Sequence, residues 1–193
     1  MNRGFTLIEL VISVAIFSLI VSAGTGLLID GLKAQRRGLA YQQLADQVSF
    51  AVEDMSRAAR MAKKELFNHT FSCLSTRGWN YESPGGDSSR LRFIKYDHDV
   101  EGDVCHEFFL EDGQIKEFRR DLATGVETTQ DLTSSAIKAN SLVFELAGET
   151  QSDDIQPQLT FFLDIESAGQ KEEEKVFLNI QSSISQRNLD VRR

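Results

Sequence analysis

From Leu10 to Ile29 the chain carries no charged residue and is mostly apolar. About 20 residues at ~1.5 Å rise each make a helix long enough to cross the roughly 30 Å hydrocarbon layer of a bilayer. The pattern therefore predicts a membrane-spanning helix. Beyond it the apolar positions become periodic. Tyr41, Leu44, Val48, Val52, Met55, Ala59, Ala62 and Leu66 recur at spacings of three and four, while Gln42, Asp46, Glu53, Arg57, Arg60 and Lys64 fill much of the rest. That is the stripe of an amphipathic helix, with one face packed and the other wet. No proline precedes Pro84, so the two segments are expected to form one helix from about Phe5 to Phe67, some 90 Å long. Gly24, Gly26, Gly31 and Gly38 fall in its middle. There they mark either a place to bend or a close approach of neighbouring helices, and both readings stay open.

After Asn68 the helical period is lost. Ser83-Pro84-Gly85-Gly86-Asp87-Ser88-Ser89 is a loop by composition, and strand-like runs follow at Leu91 to Tyr96 and Val104 to Leu110. The clearest hairpin spans Phe108 to Phe118, its two runs joined at Asp112-Gly113, a pair that tolerates the positive φ of a tight turn. Further strands are expected at Ile137 to Leu146, Leu159 to Ile165 and Val176 to Ile184. In the last two, Leu159, Phe161, Leu163 and Ile165, then Val176, Leu178, Ile180 and Ile184, line one face. The acidic Lys171 to Lys175 segment reads as the loop between them. An apolar sheet face needs a cover, and the amphipathic stretch Tyr41 to Leu66 is the helix long enough to supply it. The expected fold class is α+β: an antiparallel sheet head wrapped on the second half of a long N-terminal helix. Trp79 and Tyr81, beside the Pro-Gly loop, are either a partner contact or local packing.

Length and charge narrow this further. A chain of 193 residues leaves, after the helix, enough for one globular head. The formal net charge of -8 opposes general nucleic-acid binding, which needs basic surface to displace counterions. Two cysteines, Cys73 and Cys105, cannot form a disulfide framework. They can form one bridge, whose loop closure would contribute on the order of 3 kcal/mol in an oxidising compartment, or remain unpaired thiols.

The densest polar cluster is Asp97-His98-Asp99-Val100-Glu101-Gly102-Asp103. Carboxylates at Asp97, Asp99, Glu101 and Asp103 with a glycine at the sixth place resemble the start of a calcium loop. The twelfth place is Phe108, where such a loop needs a bidentate carboxylate, so a solvated turn between two strands is the competing reading. His69, Cys73, His98, Cys105 and His106 lack the close pair spacing of a zinc site. With no phosphate-binding glycine loop and no nucleophile motif, an enzyme is not expected.

The start of the chain carries the most specific signal. Gly4-Phe5-Thr6-Leu7-Ile8-Glu9-Leu10 follows a short basic leader containing Arg3 and runs into the apolar segment. This resembles the processing site of type IV prepilins and type II secretion pseudopilins. The resemblance implies cleavage between Gly4 and Phe5 by a membrane aspartic prepilin peptidase, which also methylates the new Phe5 amine. It also implies a role for Glu9, otherwise a misplaced charge. A charged side chain in hydrocarbon costs at least ~2.5 to 3.5 kcal/mol, and Glu9 of an assembled subunit would offset that by meeting the Phe5 amine of the incoming one.

On this reading the chain divides into a leader (1–4), a membrane and fibre-core helix (5–30), its amphipathic continuation (31–67) and a pilin-fold head (68–193). Its partners would be the prepilin peptidase, other pilins or pseudopilins and an inner-membrane assembly platform. Its place would be the bacterial inner membrane, single-pass with the head outside, then the fibre. Gln181 to Asp190 is similar to the end of many minor pilins and pseudopilins. Lys33, Arg36 and Arg37 would lie outside, against the positive-inside rule, so the orientation rests on the motif. Two alternatives remain. A conventional signal cut after Val21-Ser22-Ala23 would release a secreted binding module, for which calcium is a conceivable ligand; a plain membrane anchor leaves Glu9 unexplained.

Overall fold

The computed structural model describes residues 6–65, 70–148, 155–168 and 175–187. Helix α1 (Leu7–Arg60) comes first. A short β1 (Tyr81–Glu82), a 3-10 turn (Pro84–Gly86), β2 (Arg90–Asp97), β3 (Gly102–Glu111), β4 (Gln114–Asp121), β5 (Glu127–Asp131), β6 (Ile137–Ala147), β7 (Gln158–Ser167) and β8 (Phe177–Ser185) follow.

Helix α1 has 54 residues, hence a length of about 80 Å. It runs without interruption through Gly24, Gly26, Gly31 and Gly38, around each of which the space is open. From Thr6 to Leu39 every residue is exposed, and burial begins at Ala40. The buried face is then Ala40, Leu44, Val48, Ala51, Met55, Ala58 and Ala59. The expected stripe is shifted at its start: Tyr41 is 52% exposed, and Ala40 takes the inward position.

The helix ends at Arg60, short of the expected Phe67, which lies outside the described residues. Nothing in the local sequence stops it; tertiary contacts do. The Lys63 N–H donates to the Ile94 carbonyl at 2.8 Å, pairing the chain with β2. Two residues on, the buried Glu65 carboxylate accepts from the N–H groups of Cys73 and Leu74 at 2.9 and 2.6 Å. These bonds to β2 and to the 72–74 segment compete successfully with a further helical turn.

All strand pairs are antiparallel, but they form two sheets where one was expected: β1-β2-β3-β4-β5 and β6-β7-β8. After β5 the chain holds the first sheet only at isolated points, Leu132 N–H to the Ile115 carbonyl and Ala139 N–H to the Gly113 carbonyl, both at 2.8 Å. It then starts a new ladder in β6. Both sheets turn an apolar face to α1. The core runs through Leu44, Val48, Met55, Phe93, Phe108, Ile115, Leu142, Phe161 and Ile165 without a break. Burial of this kind contributes roughly 25 cal/mol per Å² of apolar surface and holds the helix to the head.

The β3–β4 turn adopts the expected geometry, with Asp112 at φ 53° and Gly113 at φ 75° between the paired Glu111 and Gln114. Strands β1 and β5 were not anticipated. All five residues of β5 are exposed, so it has no apolar face to leave a period in the sequence. Tyr81 resolves as packing: it is fully buried and its hydroxyl donates to the Ala59 carbonyl at 2.7 Å.

Candidate functional site

The described part of the N-terminal site begins at Thr6, and the expected processing residues Gly4 and Phe5 lie outside it. Thr6 is the N-cap of α1. Its hydroxyl oxygen accepts from the Glu9 N–H at 3.4 Å. The Glu9 carboxylate accepts in return from the Thr6 N–H at 3.0 Å and the Thr6 hydroxyl at 2.9 Å. This is a capping box, in which two backbone donors that a helix start leaves unpaired are satisfied reciprocally. Thr6, not singled out by the apolar pattern, is legible only in Thr-x-x-Glu before an apolar run, the signature of that motif. Three further hydroxyls in the apolar half are absorbed by the helix itself. Ser13, Ser18 and Thr25 donate to the carbonyls of Glu9, Val14 and Val21 at 2.7, 2.8 and 2.8 Å.

Around this site the helix shows apolar side chains on every side. Leu7, Leu19 and Leu27 are 81, 72 and 75% exposed, and the segment is long and apolar enough to cross a membrane. A surface of this size has no place in water and requires lipid or other apolar helices around it.

The four carboxylates considered for calcium have different partners. Asp97 ends β2 opposite Gly102. It accepts from the Asp99 N–H at 2.9 Å and is ion-paired with Arg119. Asp103 is ion-paired with Lys63, while Asp99 and Glu101 stand exposed on the turn. Burial alone would raise the Asp97 carboxyl, but the Asp99 N–H and the Arg119 guanidinium outweigh it and hold the group below the usual range. Among the described residues no three His, Cys, Asp or Glu side chains gather as a metal site.

Cys73 and Cys105 form a disulfide with Cα atoms 5.5 Å apart. Both are buried against Leu74, Ile94 and Leu122, with Trp79 packed on them. Cys105 and Phe108 point to opposite faces of β3, so this cluster covers the side of the first sheet turned away from α1.

On the helix side, His106 is fully buried. Its Nδ1 lies 2.6 Å from Glu117 Oε1, Gln130 donates to Glu117 Oε2 at 2.7 Å, and its Nε2 has no partner. The ring stacks on Phe93 at 5.6 Å. Burial, the largest influence, pushes the imidazole pKa down against the raising effect of Glu117. Glu117 is itself held low despite burial, by His106, Gln130 and Arg119. Neither the pair nor its burial could be read from spacing, since the partners meet across strands.

The prokaryotic N-terminal methylation motif matches residues 1–25. No curated protein matches the chain, and no solved structure does.

Proposed function

We propose that this chain, carrying a methylation motif typical of type IV pilins and pseudopilins, is a minor pilin or pseudopilin. It is cut between Gly4 and Phe5 by a prepilin peptidase and methylated at the Phe5 amine. It waits as a single-pass protein of the bacterial inner membrane with its head outside, and an assembly platform then draws it into a type IV pilus or a type II secretion pseudopilus. The motif belongs to structural rather than catalytic subunits. One long helix packed on antiparallel sheets fits a pilin fold.

The observation that carries this reading is the exposed apolar half of α1, with one carboxylate at its start. The capping box accounts for Glu9 within one chain; a helix that must receive a second subunit gives its charge a further use. In this reading residues 5–30 serve first as membrane anchor and then as fibre core, 31–60 carry the helix into the head, and the remainder of the chain contacts neighbouring subunits. The size of the head and the resemblance of Gln181 to Asp190 support a minor rather than an abundant subunit.

The mass and N-terminal sequence of the mature protein test it. A chain beginning with N-methylated Phe5 is the expected result. A chain beginning at Gly24, after a conventional signal cut, overturns the proposal. Given processing, Glu9→Val leaves cleavage intact and prevents incorporation into the fibre; undiminished incorporation would overturn the pairing role.

A further inference from the structure

At the far end of α1 a cavity of about 680 Å³ is lined by Glu53, Ser56, Arg57, Arg60, Met61 and Arg187. Three guanidiniums face one carboxylate, a local excess of positive charge on a chain whose formal net charge is -8. Glu53 is committed to Arg57 at 2.5 Å, both side chains largely in solvent. Neither Arg60 nor Arg187 has a carboxylate partner among the described residues. The two come from different elements, and backbone bonds fix their approach. The Arg187 N–H donates to the Arg60 carbonyl at 2.9 Å, and the Gln186 side-chain amide donates to the Ala62 carbonyl. The backbones that carry the two arginines are therefore held together before any ligand arrives.

The opposite end of the head carries exposed carboxylates beside Lys116 and Lys138. Strand β3 starts beside the helix exit, where Asp103 meets Lys63, and runs 10 residues away from it, about 33 Å. It ends at Glu111 and the exposed Asp112. That end lies at an earlier level of α1: Thr133 bonds Ile115 at 3.0 Å and Ser134 bonds Gln47 at 3.0 Å. Glu111 is shared with Lys116 at 2.8 Å, while the tip itself projects Asp112. One end of the head thus offers an open arginine pocket and the other an acidic hairpin tip.

We infer that the Arg57–Arg60–Arg187 pocket docks an acidic hairpin tip from the head of a neighbouring subunit, of the kind this chain bears at Glu111–Asp112. Arg60 and Arg187 receive the carboxylates, and Met61 packs on the tip's aliphatic atoms. Such a contact joins this head end to end with its neighbour along the helix direction. This rests on the fibre reading above and adds the head contact to it. The pocket lies at the end of α1 away from the apolar half, which excludes a lipid headgroup as its occupant.

The test uses the full mature chain, 15N-labelled, in detergent micelles, titrated with a cyclised peptide of residues 110–115 as probe. Saturable shifts of the Arg60 and Arg187 Nε–H signals are expected. They should weaken roughly tenfold in high salt and vanish for the peptide with Glu111→Gln and Asp112→Asn. Equal shifts with that neutral peptide, or none at millimolar peptide, overturn the inference. In the chain, Arg60→Gln with Arg187→Gln abolishes the response, whereas Met61→Ala, which leaves the charges in place, preserves salt-sensitive binding. Failure of this contact leaves N-methylated Phe5 untouched, so it is distinguishable from failure of the reading beneath it.

Discussion

The Glu9 carboxylate can be satisfied in two ways. In the single chain it takes the Thr6 N–H and hydroxyl; in the proposed fibre it takes a neighbour's amine. A pair of opposite charges in a dry helix bundle is stronger than a bond to a neutral hydroxyl, so the capping box serves as a resting state that assembly can displace. Thr6→Val removes the hydroxyl from both sides of the box. Loss of a threonine cap costs about 1 kcal/mol, which is roughly fivefold in an opening equilibrium. Amide exchange at Leu7 to Leu10 in micelles should accelerate by that factor, and Thr6→Ser should restore it. An unchanged rate would show that the hydroxyl does not hold the helix start.

Within the elements, the 97–103 turn and the disulfide make opposite demands on their surroundings. The turn has given its two innermost carboxylates to Arg119 and Lys63. Millimolar calcium should therefore leave the thermal midpoint of the head unchanged, and stabilisation by several degrees would restore the metal reading. The disulfide spans a sequence separation of 32 and pins the segment beneath Trp79 to the outer face of the first sheet. Reduction, or Cys73→Ser with Cys105→Ser, should lower unfolding free energy by about 3 kcal/mol, read from urea midpoints with and without reductant. The elements themselves were legible where a face is buried. Strands β2, β3, β4, β6, β7 and β8 announce themselves by alternation or by Asp112-Gly113. Strand β5 does not, because the first sheet uses it as a polar edge. The stop at Arg60 does not either, because it is imposed by Ile94, 31 positions beyond Lys63.

For the whole molecule, the junction of helix and first sheet is where pH acts. Around His106 and Glu117 stand Lys95 of β2, Arg119 of β4 and Asp54 of α1, whose carboxyl is raised by burial and then by the Glu117 charge. His106 is depressed from 6.5 and Glu117 from 4.5. In each case the unfolded chain binds the proton first as pH falls, so stability present above those values is lost below them. Asp54, raised, works in the opposite sense. The head should thus have a lower urea midpoint at about pH 5.5 than at about pH 7.5, and His106→Gln should largely remove that difference. A pH-independent wild-type midpoint would count against the buried neutral imidazole.

The amino-acid sequence by itself determined the long helix, its division into an apolar and an amphipathic half, the α+β class and the N-terminal methylation motif. These follow from local period, from an unbroken apolar run and from a motif contained in a few consecutive residues. Tertiary structure alone decided that the head splits into two sheets, that Cys73 meets Cys105, that Asp97 and Asp103 face cations of the protein, and that His106 shares a buried site with Glu117. Each of these depends on which distant strands become neighbours. A side chain's spacing along the chain records the face it occupies and leaves open what it meets across the gap between strands.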